Sequence, residues 1–434
     1  MSAAIPTQRR RGSASDTWPR VRLGEVCVSL TSQIRQRDLD GNTGPYPIFG
    51  AAGFLRNSCF CMVDKPAIAM VKDGAGVGRV MCIPANSAVI GTMLILKPNN
   101  GIDRGYLFYA LSSLNLGRLC SGATIPHLYF RDMKALTVPL PPLAIQRRIA
   151  AKLDRICDIV AKRKDQLSQL NQLVKSRFVE MFGDPITNLM GWPMAKIGDH
   201  LEFLTSGSRG WAKYYSDDGE LFITIKNVKG GKISVDDVQH VKPPTGAETE
   251  RTRVHEGDLL ISITADLGRT GVVSWKLANR GAYINQHLSC IRLDRKRVEP
   301  LFLAFYLESA AGKAQFEKKN QSAVKAGLNF EAIRSLRFYL PPLALQREFA
   351  AFVEKVDKLA AAVKRGLEAA ERLYRQQMQE LFGEAATKTT KTTETTKMTK
   401  TANAGGFSLS GLITPSQGLN SPVGHRAKGG NANG

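Results

Sequence analysis

Cysteine, aromatic residues and long apolar runs are all scarce in this sequence of 434 residues. The seven cysteines are an odd number and no two are spaced as Cys-x-x-Cys, which argues against a structural zinc site and against a disulfide-stabilised scaffold. No stretch reaches the ~18 consecutive apolar residues of a membrane-spanning helix. The arginine-rich start has no apolar segment behind it that would make a secretory signal. These absences predict a reduced, cytoplasmic protein.

Acidic residues are also in short supply. Only 38 Asp and Glu face 60 Lys and Arg, which gives a formal net charge of +22, and most of this excess lies between residues 18 and 384. A surface this basic attracts polyanions, of which nucleic acid is the commonest in a cell. On charge alone, a basic protein that is simply well solvated stays an alternative.

The sequence contains an internal duplication. Segment 140–147 reads LPPLAIQR and recurs as LPPLALQR at 340–347, and the offset of 200 residues holds without a gap as far as the Phe-Gly pairs at 182–183 and 382–383. Across these 44 positions 16 residues are identical. Each half also opens with a matching motif, WP followed by LGE at 18–25 and WP followed by IGD at 192–199. A period this long excludes a solenoid and predicts two copies with pseudo-twofold symmetry.

Each copy ends in a segment whose apolar residues recur every three or four positions, the spacing of a coiled-coil helix. Pro-Pro suits the first turn of a helix, and Gly183 and Gly383 suit the left-handed residue that closes one. Because a helix with a single apolar seam is unstable alone in water, we predict that the two helices pack on each other as an antiparallel pair. The alternative is that each helix packs on its own globular segment. The predicted seam comprises Ile149, Leu153, Ile156, Val160, Leu167, Leu170 and Val174 in the first helix, and Phe349, Val353, Val356, Val363, Leu367 and Tyr374 in the second.

The segments that precede the two helices resemble each other far less. Both read as strand, tight glycine turn and strand, with short helices later, and the second is longer mainly between residues 207 and 254. We therefore predict an α+β fold in which two mixed α/β domains are separated by two long helices. The predicted boundaries are a disordered start at 1–17, a first globular domain at 18–139, a first long helix at 140–183, a second globular domain at 184–339, a second long helix at 340–383, and a disordered low-complexity tail at 384–434.

In their order and duplication, these motifs resemble the specificity subunit of a type I restriction–modification system. The resemblance covers about residues 18 to 383 and includes the INQHL segment at 284–288. It implies that the globular domains are target recognition domains, each reading one half of a bipartite, asymmetric site on double-stranded DNA. It also implies that the helices space these domains and dock two methyltransferase subunits. S-adenosylmethionine, ATP and Mg²⁺ are then expected in the methyltransferase and motor-nuclease partner subunits, and no cofactor in this chain.

No group of residues makes a convincing catalytic or metal site. The glycine-rich run at 74–78 lacks the Gly-Lys-Ser/Thr of a phosphate-binding loop and is interpreted as a turn. For DNA readout we expect polar and basic loop residues, since Arg suits guanine and Asn or Gln suits adenine in the major groove. For each residue taken singly, the alternative is a phosphate contact or a solvated loop residue. The candidates are Lys72, Arg79, Arg118, Thr124, His127 and Arg131 in the first domain, and Arg209, Lys226, Asn227, Arg269, Asn285, Gln286 and Lys325 in the second.

The sequence thus predicts a non-catalytic subunit that directs partner methyltransferase and endonuclease subunits to DNA. Two alternatives stay open. One is the recognition portion of a fused restriction–methylation enzyme, which needs a methyltransferase motif that the sequence does not show. The other is a coiled-coil adaptor without DNA binding.

Overall fold

The first half of the chain opens with a globular domain, residues 18–139, which we call head 1. The computed structural model describes residues 18–74, 76–121, 126–321 and 327–383, so the two terminal segments with predicted disorder, 1–17 and 384–434, lie outside the described residues. The elements of head 1 are β1 (Arg20–Arg22), α1 (Leu23–Val26), β2 (Cys27–Thr31), β3 (Tyr46–Gly50), β4 (Gly53–Ser58), β5 (Ala67–Val71), β6 (Val80–Ile83), β7 (Ala88–Val89), β8 (Met93–Pro98), α2 (Arg104–Ser113), α3 (Phe130–Met133) and β9 (Thr137–Pro139).

Head 1 is organised around a four-stranded antiparallel sheet with strand order β2-β8-β5-β6. Its central strand β5 is buried at every position. Ile68 and Met70 pack with the α2 side of the domain, whereas Ala69 and Val71 pack with Phe49 of a second sheet, β4-β3-β7. Because successive side chains of a strand point to opposite faces, a strand covered on both faces reads as the continuous apolar run that this sequence shows.

The first long helix, α4 (Leu143–Phe182), follows head 1 and leads to residues 184–339, which we call head 2. The elements of head 2 are β10 (Met194–Lys196), β11 (Leu201–Ser206), β12 (Tyr215–Ser216), β13 (Glu220–Ile223), β14 (Val228–Lys229), β15 (Lys232–Ile233), β16 (Gln239–Val241), α5 (Ala247–Thr252), β17 (Leu259–Ser262), β18 (Thr270–Val272), α6 (Trp275–Arg280), β19 (Ala282–Ile284), β20 (Leu288–Leu293), α7 (Pro300–Glu308), α8 (Ala310–Gln321), α9 (Phe330–Arg334) and β21 (Arg337–Tyr339). The second long helix, α10 (Leu343–Phe382), follows.

The two heads share one sheet topology although their sequences differ. The main sheet of head 2 has the order β11-β20-β17-β18, which matches β2-β8-β5-β6 of head 1 strand for strand. In both heads the second sheet contains one parallel pair, β3 with β7 and β13 with β19. Between residues 207 and 254, head 2 adds β12, the hairpin β14-β15 and α5, whereas β16 pairs with β13 in the place that β4 takes beside β3 in head 1. The extra length predicted for this region therefore forms elements that are added to a sheet arrangement shared by both heads.

The motifs that open each half join the beginning of a head to its end. The short strands β1 and β10 pair with β9 and β21, the strands that lead into the long helices. The backbone N–H of Leu140 donates to Pro19 O over 2.8 Å, and the equivalent N–H of Leu340 donates to Pro193 O over 2.8 Å. The two WP motifs and the two LPPL motifs therefore recur together because they are neighbours in the fold.

The chain folds as two compact units, each built from one head and parts of both long helices. Unit 1 contains residues up to 165 and from 363 onward, so it holds head 1, the first part of α4 and the last part of α10. Unit 2, residues 166–362, holds head 2 with the remaining helical segments. Each unit therefore depends on a helix contributed by the other half of the repeat.

Within unit 1 the pairing of the helices is antiparallel. Lys152 bonds to Gln377, and Lys164 Nζ lies 3.4 Å from Glu371 Oε1, so partner numbers fall along α10 as they rise along α4. In unit 2, Arg177 Nη2 lies 3.1 Å from Glu348 Oε1, which brings the end of α4 to the start of α10. The predicted antiparallel pair is confirmed.

The predicted seam residues differ in burial along the helices. Leu167, Leu170, Val363 and Leu367 are half-buried, whereas the other nine are buried. In unit 1, Leu153 and Ile156 share one apolar core with Tyr109 of head 1 and with Tyr374 of α10. The helices thus pack on each other and on the heads together, so the two arrangements weighed from the sequence are both present.

Each long helix ends on a buried phenylalanine followed by a left-handed glycine. Gly183 and Gly383 have φ of 81° and 56°, a conformation that favours glycine at a helix C-terminus. In unit 2 the ring of Phe182 lies 4.7 Å from that of Phe302, and in unit 1 the ring of Phe382 lies 5.5 Å from that of Tyr106. The repeated Phe-Gly motif therefore anchors each helix end on a head.

Among the described residues, no helix is long and apolar enough to cross a membrane.

Candidate nucleic-acid interface

The turn between β5 and β6 forms the centre of a loop cluster in head 1. Gly74, Gly76 and Gly78 have φ between 85° and 89°, a backbone conformation that residues other than glycine rarely adopt. A Cβ at Gly78 would lie 2.8 Å from the Gly117 nitrogen, so the segment before Arg118 packs directly on this turn. Because β6 and not a helix follows, the interpretation of this run as a turn is confirmed.

Several predicted DNA-binding residues of head 1 meet beside this turn. The imidazole Nδ1 of His127 lies 2.8 Å from Asp73 Oδ1, and Lys72 Nζ lies 3.7 Å from the other oxygen of that carboxylate. The His127 ring stacks at 6.4 Å on Tyr129, whose ring carries the Arg131 guanidinium 4.6 Å from its centre. Stacking restricts these flexible side chains while leaving their donors exposed. Lys72, His127 and Arg131 therefore belong to one surface.

The other candidates of head 1 lie close to this surface or outside the described residues. Arg79 is exposed on the turn and its guanidinium donates to Ala51 O over 2.6 Å. Arg118 is exposed on the 3-10 helix Leu116–Leu119. Thr124 lies outside the described residues.

Head 2 places an equivalent loop cluster at the same end of its sheet. The N–H of Leu328 donates to Ile263 O over 2.9 Å, just as the N–H of Leu128 donates to Lys72 O over 2.8 Å in head 1. His287 Nδ1 lies 2.8 Å from Thr264 Oγ1, and its Nε2 lies 3.2 Å from the Gln286 amide nitrogen. In each head a histidine is therefore bonded to the turn of the main sheet, although the two histidines come from different loops.

Three further candidates of head 2 join this cluster. Asn285 follows β19, and its side-chain oxygen accepts from the His287 N–H over 3.2 Å. Arg209 is exposed and follows Ser208, whose carbonyl accepts from the Gln286 N–H over 3.0 Å. Arg269 lies on the turn itself, with its guanidinium bonded to Asp266.

The remaining candidates of head 2 are placed differently. Asn227 is only 4% exposed, and its amide accepts from the Thr224 N–H and donates to the carbonyls of Ser234 and Asp237. Its side chain thus holds a loop together. Lys226 is exposed, 2.8 Å from Asp237 Oδ2. Lys325 lies outside the described residues.

Sequence reasoning missed the residues that orient these candidates. Asp73 and Thr264 hold the two histidines, and Tyr129, 43% exposed, carries Arg131. Tyr129 gave a usable signal, because it alternates with His127 and Arg131 in a loop. The partners of the histidines are more than 20 residues away along the chain, so no local pattern could identify them.

The long helices carry a second candidate surface. Ile159 and Leu373 are 48% and 44% exposed in unit 1, and Leu173 and Leu359 are 48% and 58% exposed in unit 2. Residues 159 and 359, and residues 173 and 373, are equivalent positions of the repeat. Each unit thus presents one of these four side chains from each helix, and unit 2 also exposes Val179 of α4. We call Ile159 with Leu373, and Leu173 with Leu359, the helix pairs.

In the part of the chain that the structure describes, no group of three or more His, Cys, Asp or Glu side chains is placed to hold a metal ion.

Both halves match the type I restriction modification DNA specificity domain, over residues 15–172 and 192–372. The chain is similar to the type I restriction enzyme EcoBI specificity subunit of Escherichia coli, with 22% identity over 59% of this chain, and it spans 58% of that relative's length. It is also similar to the MjaVIII specificity subunit of Methanocaldococcus jannaschii, with 21% identity over 84% of this chain and 92% of that protein.

A solved structure shares the fold. The crystal structure of the S subunit of a type I restriction–modification system from M. genitalium aligns with a TM-score of 0.60 at 16% identity, covering 84% of this chain and 96% of that one. The predicted α+β fold with two domains and two long helices is confirmed.

Proposed function

Because this chain belongs to the family of type I restriction–modification DNA specificity subunits, we propose that each of its heads reads one half of a bipartite, asymmetric site on double-stranded DNA. The observation that carries this proposal is the pair of loop clusters. They occupy equivalent ends of one sheet topology, and they present different side chains, Lys72, His127 and Arg131 in head 1 against Arg209, Gln286 and His287 in head 2. Two unlike readers select a sequence without twofold symmetry.

In this proposal the chain does no chemistry itself. It directs a methyltransferase, which brings S-adenosylmethionine, and through it a motor-nuclease subunit, which brings ATP and Mg²⁺. Both act in the cytoplasm. The net charge of +22 supplies the sequence-independent attraction to phosphates, and a few loop side chains supply the specificity.

Methylation-sensitive sequencing of cells with and without this chain tests the proposal, with the partner subunits present in both. We expect methylation at one asymmetric sequence of two parts with a constant spacer, and none without the chain. An unchanged methylation pattern contradicts the proposal.

Measuring the DNA affinity of the purified chain against salt concentration distinguishes a DNA-binding subunit from an adaptor. A phosphate-binding protein loses affinity steeply as salt rises, and an adaptor shows no such slope.

We further propose that the helix pairs dock two methyltransferase subunits, one at each unit. Exposed apolar residues ringed by polar ones are typical of protein interfaces, and the repeat presents them twice. Leu173→Asp and Leu359→Asp, made as separate single variants, are each expected to weaken binding of a methyltransferase subunit at least about tenfold. The matched control is Ser168→Asp, which adds the same charge at an exposed position of α4. Equal binding by these two variants and the control would exclude this docking surface.

A further inference from the structure

The glutamine of each LPPLA-x-QR motif bonds its long helix to a head. In unit 1, Gln146 is 1% exposed, and its side-chain oxygen accepts from the Asp103 N–H over 2.8 Å. Its amide nitrogen donates to Pro141 O over 2.9 Å and to Gly101 O over 3.3 Å. Asp103 is also the N-cap of α2, since its carboxylate accepts from the Tyr106 N–H over 2.9 Å. One side chain therefore ties the first turn of α4, the preceding prolines and the cap of α2 together.

Gln346 makes the same set of bonds in unit 2. It is 0% exposed, accepts from the Glu299 N–H over 2.8 Å, and donates to Pro341 O over 2.8 Å and to Arg297 O over 3.3 Å. Glu299 is the N-cap residue of α7. Asp103 and Glu299 are not separated by the repeat offset of 200 residues, because the loops of the heads differ in length. The hydrogen bond from an N-cap N–H to the glutamine is thus present in both units, although the two N-cap residues are not at equivalent positions of the repeat.

These bonds differ physically from the apolar contacts around them. Apolar packing at the junction, through Ile145 and Ile149 in unit 1, is non-directional and tolerates small rotations. Hydrogen bonds weaken steeply away from linear geometry, and an unpaired buried amide is unfavourable. Tilting the helix on the head would leave several buried donors and acceptors unpaired at once.

We propose that Gln146 and Gln346 are positioning residues that fix the direction in which each head meets its helix and thereby set the spacing of the two DNA half-sites. This inference rests on the proposed function. It assigns the glutamines no contact with DNA, so their loss changes which spacer is accepted and not which bases are read.

The test uses Gln146→Met and Gln346→Met in the full chain with its partner subunits. Methionine matches the length of glutamine but offers no comparable hydrogen bonds. Gln379→Met, at an exposed position of α10, is the matched control. Each protein modifies a DNA library in which the two half-sites are separated by the wild-type spacer, or by one base pair fewer or more.

Wild type and the control are expected to prefer one spacer strongly. We expect each methionine variant to lose this preference by roughly tenfold while reading the same half-site sequences. Folded variants that keep the wild-type spacer preference overturn the inference. A wild-type protein without any bipartite preference overturns the proposed function, and this inference with it.

Amide hydrogen exchange on the wild-type protein gives a second test that needs no variant. The N–H groups of Asp103 and Glu299 are expected to exchange as slowly as those of the strand cores. Exchange of either at the rate of an open loop contradicts a fixed junction.

Discussion

The two heads use one backbone arrangement to present two different surfaces. The bond from the N–H of Leu128 to Lys72 O in head 1 has its counterpart from the N–H of Leu328 to Ile263 O in head 2, with lengths of 2.8 and 2.9 Å. The side chains beside these bonds differ, since Lys72 and Asp73 stand where head 2 has Ile263 and Thr264. Backbone pairing thus fixes where the loops of each head lie, while the side chains at those places set the chemistry of the surface.

The strongest way to break the equivalence of the two units is to remove the anchors at the helix ends. Phe182→Ala and Phe382→Ala are each expected to lower the free energy of unfolding of their own unit by about 3–5 kcal/mol. The effect of Phe182→Ala is expected to be the larger, because its ring meets those of Phe178, Phe302 and Phe349. Hydrogen exchange, measured separately for the amides of each unit, gives the two losses in free energy of unfolding.

The matched control for the anchors is Phe54→Ala. Phe54 is 57% exposed in head 1, and its removal is expected to change stability by less than about 1 kcal/mol. If the anchor variants behaved like this control, the Phe-Gly motifs would have no anchoring role.

An ion pair between the half-buried Arg292 and the buried Asp258 distinguishes the main sheet of head 2. Arg292 donates to both oxygens of the wholly buried Asp258, over 2.8 and 2.9 Å, whereas Lys97 occupies the equivalent strand position in head 1. Arg292→Met removes the guanidinium from a buried carboxylate, which keeps hydrogen bonds only from the His255 N–H and the Cys290 thiol, and the change is expected to destabilise unit 2 by about 3 kcal/mol. Denaturant titration measures it, and Lys97→Met, the control, is expected to have little effect. Equal effects of the two substitutions would refute this difference between the heads.

The loop clusters predict separate effects on the two half-sites. Arg131→Ala and Arg209→Ala are each expected to weaken DNA binding by about 1–3 kcal/mol and to relax base preference in one half of the site only. Selection from a randomised DNA library measures both. A uniform loss across all sequences would instead identify the residue as a phosphate contact.

The smallest expected difference concerns pH. Burial raises the pKa of Asp154, which accepts a hydrogen bond from Tyr109 over 2.6 Å in unit 1, while the equivalent Glu354 of unit 2 is exposed. Since the folded state binds the proton more tightly than the unfolded state, unit 1 gains stability as the pH falls from neutral through the folded pKa, and the gain is complete below the unfolded pKa near 3.8.

Asp154→Asn is therefore expected to remove this gain, which is under about 1 kcal/mol because the group is partly solvated. Thermal unfolding between pH 7 and pH 4, followed by a signal from unit 1, measures the difference. An identical pH profile for wild type and variant would contradict the assignment.

The two long helices were predictable from the sequence because the signals for their starts, ends and apolar seams are local. The prolines before residues 143 and 343, the glycines at 183 and 383, and the apolar spacing between them each act within a few residues. The merging of the seam with the head cores was not predictable, since it depends on α2 and α7, which lie far away along the chain.

The candidate surfaces were predictable only in part, for the same reason. Lys72, His127 and Arg131 do share a surface, but Asn227, an equally polar loop residue, is buried. Composition alone does not distinguish an amide that faces solvent from one that bonds to its own loop. Gln146 lies in phase with the seam, so its burial could be anticipated, whereas its partners in the loop before α2 could not.

Exchanging residues 192–339 for the corresponding head of another specificity subunit, followed by methylation-sensitive sequencing, tests the central claim most directly. If each head reads its own half-site, the chimera methylates a site in which one half is new and the other half is unchanged. A chimera that alters both halves, or neither, would contradict independent reading by the two heads.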